Sequence, residues 1–250
     1  MTSSKKQNKT QPSLILREFI YLDRPRLEDF LSGIEGGSGE TTRDFITEAT
    51  DASLFQRLYS LDQNNTFITH ISKFDEAKWA AMEEGQLVEV EATVDTSALE
   101  KIFDTISDLL ELMAVIQPGA LVDKKSQELI KILQLRKRNT TTGIRIEPLK
   151  SPAPKYQLVA SLQDDNLRAA KNELTGNFIV FGRIRKKLKR NEKFDLFKLL
   201  PTEFQLGSKE MGEMLKSFKE MPSILGKPPT IKDIKVGYPA MVITPVAIYR

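Results

Sequence analysis

Cysteine is absent from these 250 residues, and histidine and tryptophan occur once each. No apolar run approaches the roughly 20 residues that a membrane span needs. Each shortage removes a class of function. Without thiols there is no disulfide, no thiolate nucleophile and no thiolate metal site, which suits a reducing interior. One histidine cannot build a multi-histidine metal centre, and a Ser–His–Asp arrangement would have to use His70. No Gly-x-Ser-x-Gly elbow accompanies it. The polar, basic start Met1–Gln11 lacks the apolar core of a secretory signal. These absences predict a cytoplasmic chain with a disordered tail over residues 1–13.

What is present is balanced. Hydrophobic residues make up 40% of the chain, enough for a sizeable core, and the formal net charge is +3. A sequence pI near 8.9 permits attraction to phosphate without the basicity of a dedicated nucleic-acid binder.

One phrase occurs three times: apolar strand, polar hinge, amphipathic helix. The copies start at Phe19, Glu91 and Val159, and in each an apolar strand end (Leu22, Val94, Leu162) stands five places before a helix-facing leucine (Leu27, Leu99, Leu167). The spacing of about 70 residues is what an array of similar units would show. The pattern predicts an α/β or α+β fold, mixed sheets with helices on one side, from about three strand–helix units. Asp23 stands where a helix N-cap belongs, with Pro25 just inside. Leu99, Ile102, Phe103, Ile106, Leu109, Leu110 and Met113 form one helical stripe that Asp95 or Thr96 can cap. A further helix is read over about Lys124–Arg138, and another, capped by Ser208, bears Met211, Met214, Leu215 and Phe218. Asn139–Gly143 reads as a turn and Lys150–Pro154 as a linker, so the expected division is an N-terminal α/β domain over residues 14–150 and a C-terminal one over 151–250. Phe178–Arg185 reads as a strong strand, and Phe194–Leu200 as a further one. Pro239–Arg250 is apolar on both faces of a strand, which predicts burial to its end, with Pro245 demanding an edge or a bulge.

Several groups could carry chemistry, and each has a plainer explanation. His70 could act as a lone base, or simply sit on an alternating strand. Gly33, Gly36, Gly37 and Gly39 could offer amides to a phosphate, yet they follow a helix where phosphate loops precede one. Glu76-Ala77-Lys78 with an upstream acid such as Asp62 is the skeleton of a Mg²⁺-dependent nuclease, but the tripeptide falls on a helical stretch. Glu100, Asp104 and Asp108 share a helix face that could draw a cation, or be merely solvated. Met211, Met214 and Met221 could make an adaptable groove or an ordinary core face. The strongest charged feature is Arg183, Arg185, Lys186, Lys187, Lys189, Arg190 and Lys193. With Ile184 inward, Arg183 and Arg185 point to the other face, where they could meet nucleic-acid phosphates or anionic lipid. No aromatics interleave with this run, so stacking on single-stranded bases is not indicated.

Phe19-Ile20-Tyr21-Leu22-Asp23, Leu27, Leu31–Gly37, Phe181-Gly182-Arg183-Ile184, and the ending Pro239-Ala240, Val242, Pro245 to Tyr249 together resemble a family of uncharacterised bacterial proteins. Its marks are an Ile/Val-Tyr-Leu-Asp strand near the start and a Pro-x-x-Val-x-Pro-x-Ala-Ile-Tyr strand at the close. The resemblance implies a bacterial cytoplasmic protein of an accessory or defence gene set, and transfers no functional residue.

The expectation for function is a non-catalytic interaction or regulatory protein with a protein partner, no cofactor, no metal and no catalytic residue. The alternatives are nucleic-acid or polyanion binding through residues 183–193, and a metal-dependent hydrolase or nuclease.

Overall fold

Val88, Val90, Ala92 and Val94 alternate along one strand and are all buried, and that strand organises the fold. A computed structural model describes residues 17–34, 49–62, 67–116, 127, 130, 134, 140–151, 156–200 and 234–250. In chain order the elements are β1 (Phe19–Leu22), α1 (Arg24–Ile34), α2 (Asp51–Leu61), β2 (Ile68–Ile71), α3 (Glu76–Ala81), β3 (Leu87–Thr96), α4 (Ala98–Ile116), β4 (Thr141–Pro148), β5 (Gln157–Gln163), β6 (Gly176–Lys187), β7 (Lys193–Asp195), β8 (Lys235–Gly237) and β9 (Ala240–Tyr249). Residues 127, 130 and 134, within the helix read over Lys124–Arg138, are helical. The stretch around Ser208 and the three methionines lies outside the described residues, as do the tail and Gly36, Gly37 and Gly39.

β3 pairs with β4 through Ala92–Thr96 and with β6 through Leu87–Val94. β4 pairs with β5, β5 runs parallel to β9, and β9 pairs with β6. The pairings therefore close a ring, β3–β4–β5–β9–β6–β3, with β1 and β2 attached to β9 and β3. Numbered along the chain, the ring strands follow the order 1-2-3-5-4, and 3 and 5 are the parallel pair. The interior holds the inward half of each alternation: Val88 to Val94 from β3, Ile144 and Ile146, Leu158, Ala160 and Leu162, Phe178, Val180 and Ile184, Met241, Ile243 and Ile248. Each of these side chains larger than alanine contributes about 1.5–3 kcal/mol by leaving water. Phe74, Trp79 and Tyr156 pack within this cluster, their ring centroids 5.0–6.2 Å apart.

The structure is α+β with a mixed sheet. α1, α2 and α4 lie on its outer side, in two apolar clusters. One sets α1 and α2 against Phe181, Val246, Ala247 and Tyr249. The other sets Leu99, Phe103 and Leu110 of α4 with Leu196, Phe197, Leu199 and Leu200 against Val159 and Val242. β9 is thus buried on both faces, as its composition predicts. Its ladder to β6 shifts register between Phe181 and Gly182, which places the bulge beside Pro245. Gly182 is obligatory there, because a Cβ would lie 2.6 Å from the Thr244 carbonyl oxygen and 3.0 Å from Pro245 Cα.

Three sequence expectations change. The cap of α4 is Ser97, whose Oγ accepts from the Glu100 amide at 3.3 Å, because β3 runs on through Asp95 and Thr96. The third strand–helix phrase makes two 3₁₀ turns, Asp164–Asn166 and Lys171–Leu174. Its backbone is drawn to β1 instead: Leu167 bridges to Tyr21, and the Arg168 amide donates to the Ile20 carbonyl at 2.9 Å. Thr141–Gly143, expected as the end of the turn Asn139–Gly143, is the start of a full strand, β4, which pairs with β5 along most of its length. The boundary expected near residue 150 falls in the connection between these two paired strands; β3 and β4 come before it and β5, β6 and β9 after it, and together they close the ring. No helix among the described residues is long and apolar enough to cross a membrane, which says nothing of strands.

Candidate polyanion-binding cleft

The alternation that fills the barrel also sets its outer face. With Leu158, Ala160 and Leu162 inside, Gln157, Val159, Ser161 and Gln163 point outward. Across β4 the outward partners are Thr141 opposite Gln163, Gly143 opposite Ser161, and Arg145 opposite Val159. A cleft of about 400 Å³ opens at the Thr141–Gln163 end of this face. Its floor is Thr140, Thr141, Ser161 and Gln163 with Val242–Thr244 of β9.

Three cations reach its wall from three elements. Arg26 comes from the first turn of α1. Asp23 holds it there: Oδ1 accepts from the Arg26 amide at 3.2 Å, capping the helix, while Oδ2 pairs with the guanidinium at 2.9 Å. The same guanidinium donates to the Pro245 carbonyl at 3.3 Å, tying the helix start to the β9 bulge. Arg185 extends outward from β6 because Ile184 is committed to the interior. Lys198 stands on the 3₁₀ turn Leu196–Leu199, which Asp195 opens by accepting from the Phe197 amide at 3.1 Å. Leu196, Phe197 and Leu199 are buried, which leaves Lys198 exposed over the cleft. No carboxylate among the described residues lines the wall. Among the described residues neither Arg185 nor Lys198 pairs with one.

The fold divides the basic run 183–193. Arg185 enters the cleft, and Arg183 is exposed beside it opposite Thr244. Lys186 pairs with Glu192, whose other oxygen accepts from the Lys189 amide, and this pairing lowers the Glu192 carboxyl. Lys187 donates to the carbonyls of Trp79, Ala80 and Met82, closing the C-terminal end of α3, and lies over the Trp79 ring. Lys189 and Arg190 are exposed on the turn to β7, and Lys193 is exposed as the first residue of that strand. Sequence reasoning missed Arg26 and Lys198. The available signal was the polar half of β5, Gln157, Ser161 and Gln163 alternating with apolar residues, with Arg145 opposite it on an unrecognised strand.

The other groups are occupied internally. His70 Nδ1 lies 3.0 Å from Glu89 Oε1 and its Nε2 lies 3.6 Å from Asp62 Oδ2. Asp62 Oδ1 accepts from the Phe67 and Ile68 amides. Glu89 Oε2 accepts from the Tyr249 hydroxyl, which also meets Tyr59 Oη at 2.8 Å. Burial raises the Glu89 carboxyl above the usual range, and burial together with the Glu89 charge raises the Tyr249 phenol. Glu76 and Lys78 lie on α3, capped by Asp75. Glu100 is buried and accepts from the Gly143 amide at 2.8 Å, so it does not share the exposed face of Asp104 and Asp108. No group of three or more metal-ligating side chains comes together among the described residues.

A family described as a domain of unknown function, DUF6414, matches residues 37–249. The chain belongs to that family. The match takes in the whole barrel and leaves β1 and α1, with Arg26, outside its limits. No curated protein and no solved structure matches.

Proposed function

We propose that this chain is a non-catalytic binding module whose cleft takes nucleic acid through its phosphates. The observation that carries the reading is the convergence of Arg26, Arg185 and Lys198 on one cleft with no acid among the described residues of its wall. Thr141, Ser161, Gln163 and Thr244 lie between the cations and offer hydrogen bonds to phosphate and sugar oxygens. The volume lies within the range of ordinary ligand pockets.

The barrel supports the same reading. A five-stranded Greek-key ring in the order 1-2-3-5-4 is the layout of the OB barrel, whose second and third strands and adjoining loops bind oligonucleotides and oligosaccharides. Here those strands are β4 and β5, and the cleft lies on them. Fold alone does not decide function; the charge of the wall favours a polyanion over a neutral sugar. With no aromatic among the described residues of the wall, contacts go to the backbone rather than to stacked bases, so sequence preference is expected to be weak.

Fluorescence anisotropy with labelled single-stranded DNA and RNA over a salt series tests this. Three phosphate contacts give a slope of about −2 in log K against log salt. Arg185→Glu with Lys198→Glu should remove binding without lowering the melting temperature. Binding unchanged in that double variant, or absent at low salt in the parent, overturns the reading.

A further inference from the structure

A second pocket, of about 230 Å³, opens at the other end of the same outward row of β5. Gln157 and Val159 line it, whereas Ser161 and Gln163 line the first cleft. Its cations are Arg145 and Lys235, and again no carboxylate lines the wall among the described residues. Arg145 pairs with Glu147 at 2.8 Å, but its Nε is buried without a hydrogen-bond partner in the structure. Lys235 stands opposite Asp195 in the β7–β8 ladder. The turn Leu196–Leu199 separates the two pockets: Leu196 touches the second and Lys198 and Leu199 the first. Lys198 on that turn is exposed and lines the first cleft.

We infer that the two pockets are the ends of one track, and that the ligand is a single strand of nucleic acid laid along β5 across the Leu196–Leu199 turn. This rests on the reading of the first cleft given above. From Gln157 to Gln163 the strand runs about 20 Å. A single strand covers that distance in roughly four to six nucleotides, the lower end of the site sizes known for such barrels. A compact ligand such as a mononucleotide would occupy one pocket and gain nothing from the other. A linear one gains from both, because the second contact is intramolecular once the first is made. A duplex presents paired phosphate rows on a rigid cylinder and does not bend over the Leu196–Leu199 turn, which packs on Val159, to reach both pockets.

The experiment is a length series of oligo(dT) from two to ten nucleotides against the full chain, by competition anisotropy at fixed low salt. Affinity should rise by about tenfold or more between two and six nucleotides and then level. Lys235→Ala and, separately, Gln157→Glu should abolish that rise while leaving dinucleotide affinity unchanged. Gln157→Glu adds a repelling charge without removing a cation, so it checks the result should Lys235→Ala loosen the β7–β8 pair. Dinucleotide binding that is sensitive to Arg185→Glu but shows no gain with length overturns the track and leaves the first cleft standing. Absence of binding at every length overturns both. Tighter binding of length-matched duplex or inorganic polyphosphate than of oligo(dT) overturns the assignment of a single nucleic-acid strand.

Discussion

The Tyr249 hydroxyl donates to Glu89 Oε2 at 2.7 Å, joining β9 to β3 across the intervening strand β6. Both groups are largely buried, and burial raises the Glu89 carboxyl. An acid whose folded value lies above its unfolded value binds its proton more tightly in the folded state. Below the ordinary carboxylate range both states are protonated and the group costs nothing. As pH rises through the interval between the ordinary and the raised value, the unfolded chain releases its proton first and folded stability falls. Above the raised value the cost is constant. Glu89→Gln should therefore gain on the parent as pH rises, the difference appearing across that interval. Melting temperatures of both proteins from the acid side to neutrality measure it; a difference independent of pH would show that ionisation of Glu89 carries no such cost.

The two glycines with opposite surroundings make a paired test of the β9 bulge. Gly182→Ala places a methyl group 2.6 Å from the Thr244 carbonyl oxygen, which is backbone and cannot swing away. Overpacking of this kind costs typically about 1–3 kcal/mol, and more where the ladder must shift. Gly33 lies in α1 with nothing within 4 Å of its notional Cβ. Gly33→Ala should stabilise by roughly 0.5–1 kcal/mol through helix propensity. Urea unfolding of each variant reads the sign directly, and equal effects would contradict the close approach at Gly182.

Much of this was legible in the sequence, for a definite reason. Where one face of a strand fills the barrel, as in Val88 to Val94 or Phe178 to Ile184, period-two alternation shows in the residues themselves. The capping role of Asp23 was equally plain from Pro25 and the leucines that follow. β4 was obscured because Thr140-Thr141-Thr142-Gly143 has turn composition. Its glycine is there for packing, since a Cβ would meet Ser97 Oγ at 2.9 Å. The closed ring was not legible, because pairing of β6 with both β3 and β9 is set by tertiary contact. The cleft followed from that closure: Arg26, Arg185 and Lys198 are distant in sequence, and only the ring brings them to one wall. The basic run drew attention by its density, while the fold spends Lys187 on helix carbonyls and Lys186 on Glu192.

That division of the basic run separates binding from stability. Lys187→Met removes three hydrogen bonds from an ammonium group to the carbonyls of Trp79 and Ala80 in α3 and of Met82 just beyond it. Hydrogen bonds to charged groups contribute about 1.5–3 kcal/mol, and the methionine keeps most of the apolar stem. The variant should unfold at lower denaturant while binding oligonucleotide with unchanged salt slope. Arg185→Gln should do the reverse, losing affinity at unaltered stability. Lys189→Gln with Arg190→Gln should move neither by more than about 0.5 kcal/mol, as expected for solvated surface positions. Measuring unfolding midpoint and affinity on all three tests the partition, and a loss of affinity confined to the Lys189–Arg190 pair would relocate the site to the β6–β7 turn.

Asp23 joins the two properties. It caps α1 and holds the Arg26 guanidinium toward the cleft, and its own amide donates to the Val246 carbonyl at 2.8 Å in the β9 bulge. Asp23→Asn keeps an oxygen for the Arg26 amide but removes the charge that fixes the guanidinium, so stability should change little while affinity falls. Asp23→Ala removes the cap as well and should cost about 1 kcal/mol in addition. The affinity loss should be the same in both, because both release Arg26. Arg26→Gln combined with Asp23→Asn should then bind no more weakly than Arg26→Gln alone, which a double-mutant cycle measures. Additive losses would mean that Asp23 acts on binding by some route other than the position of Arg26.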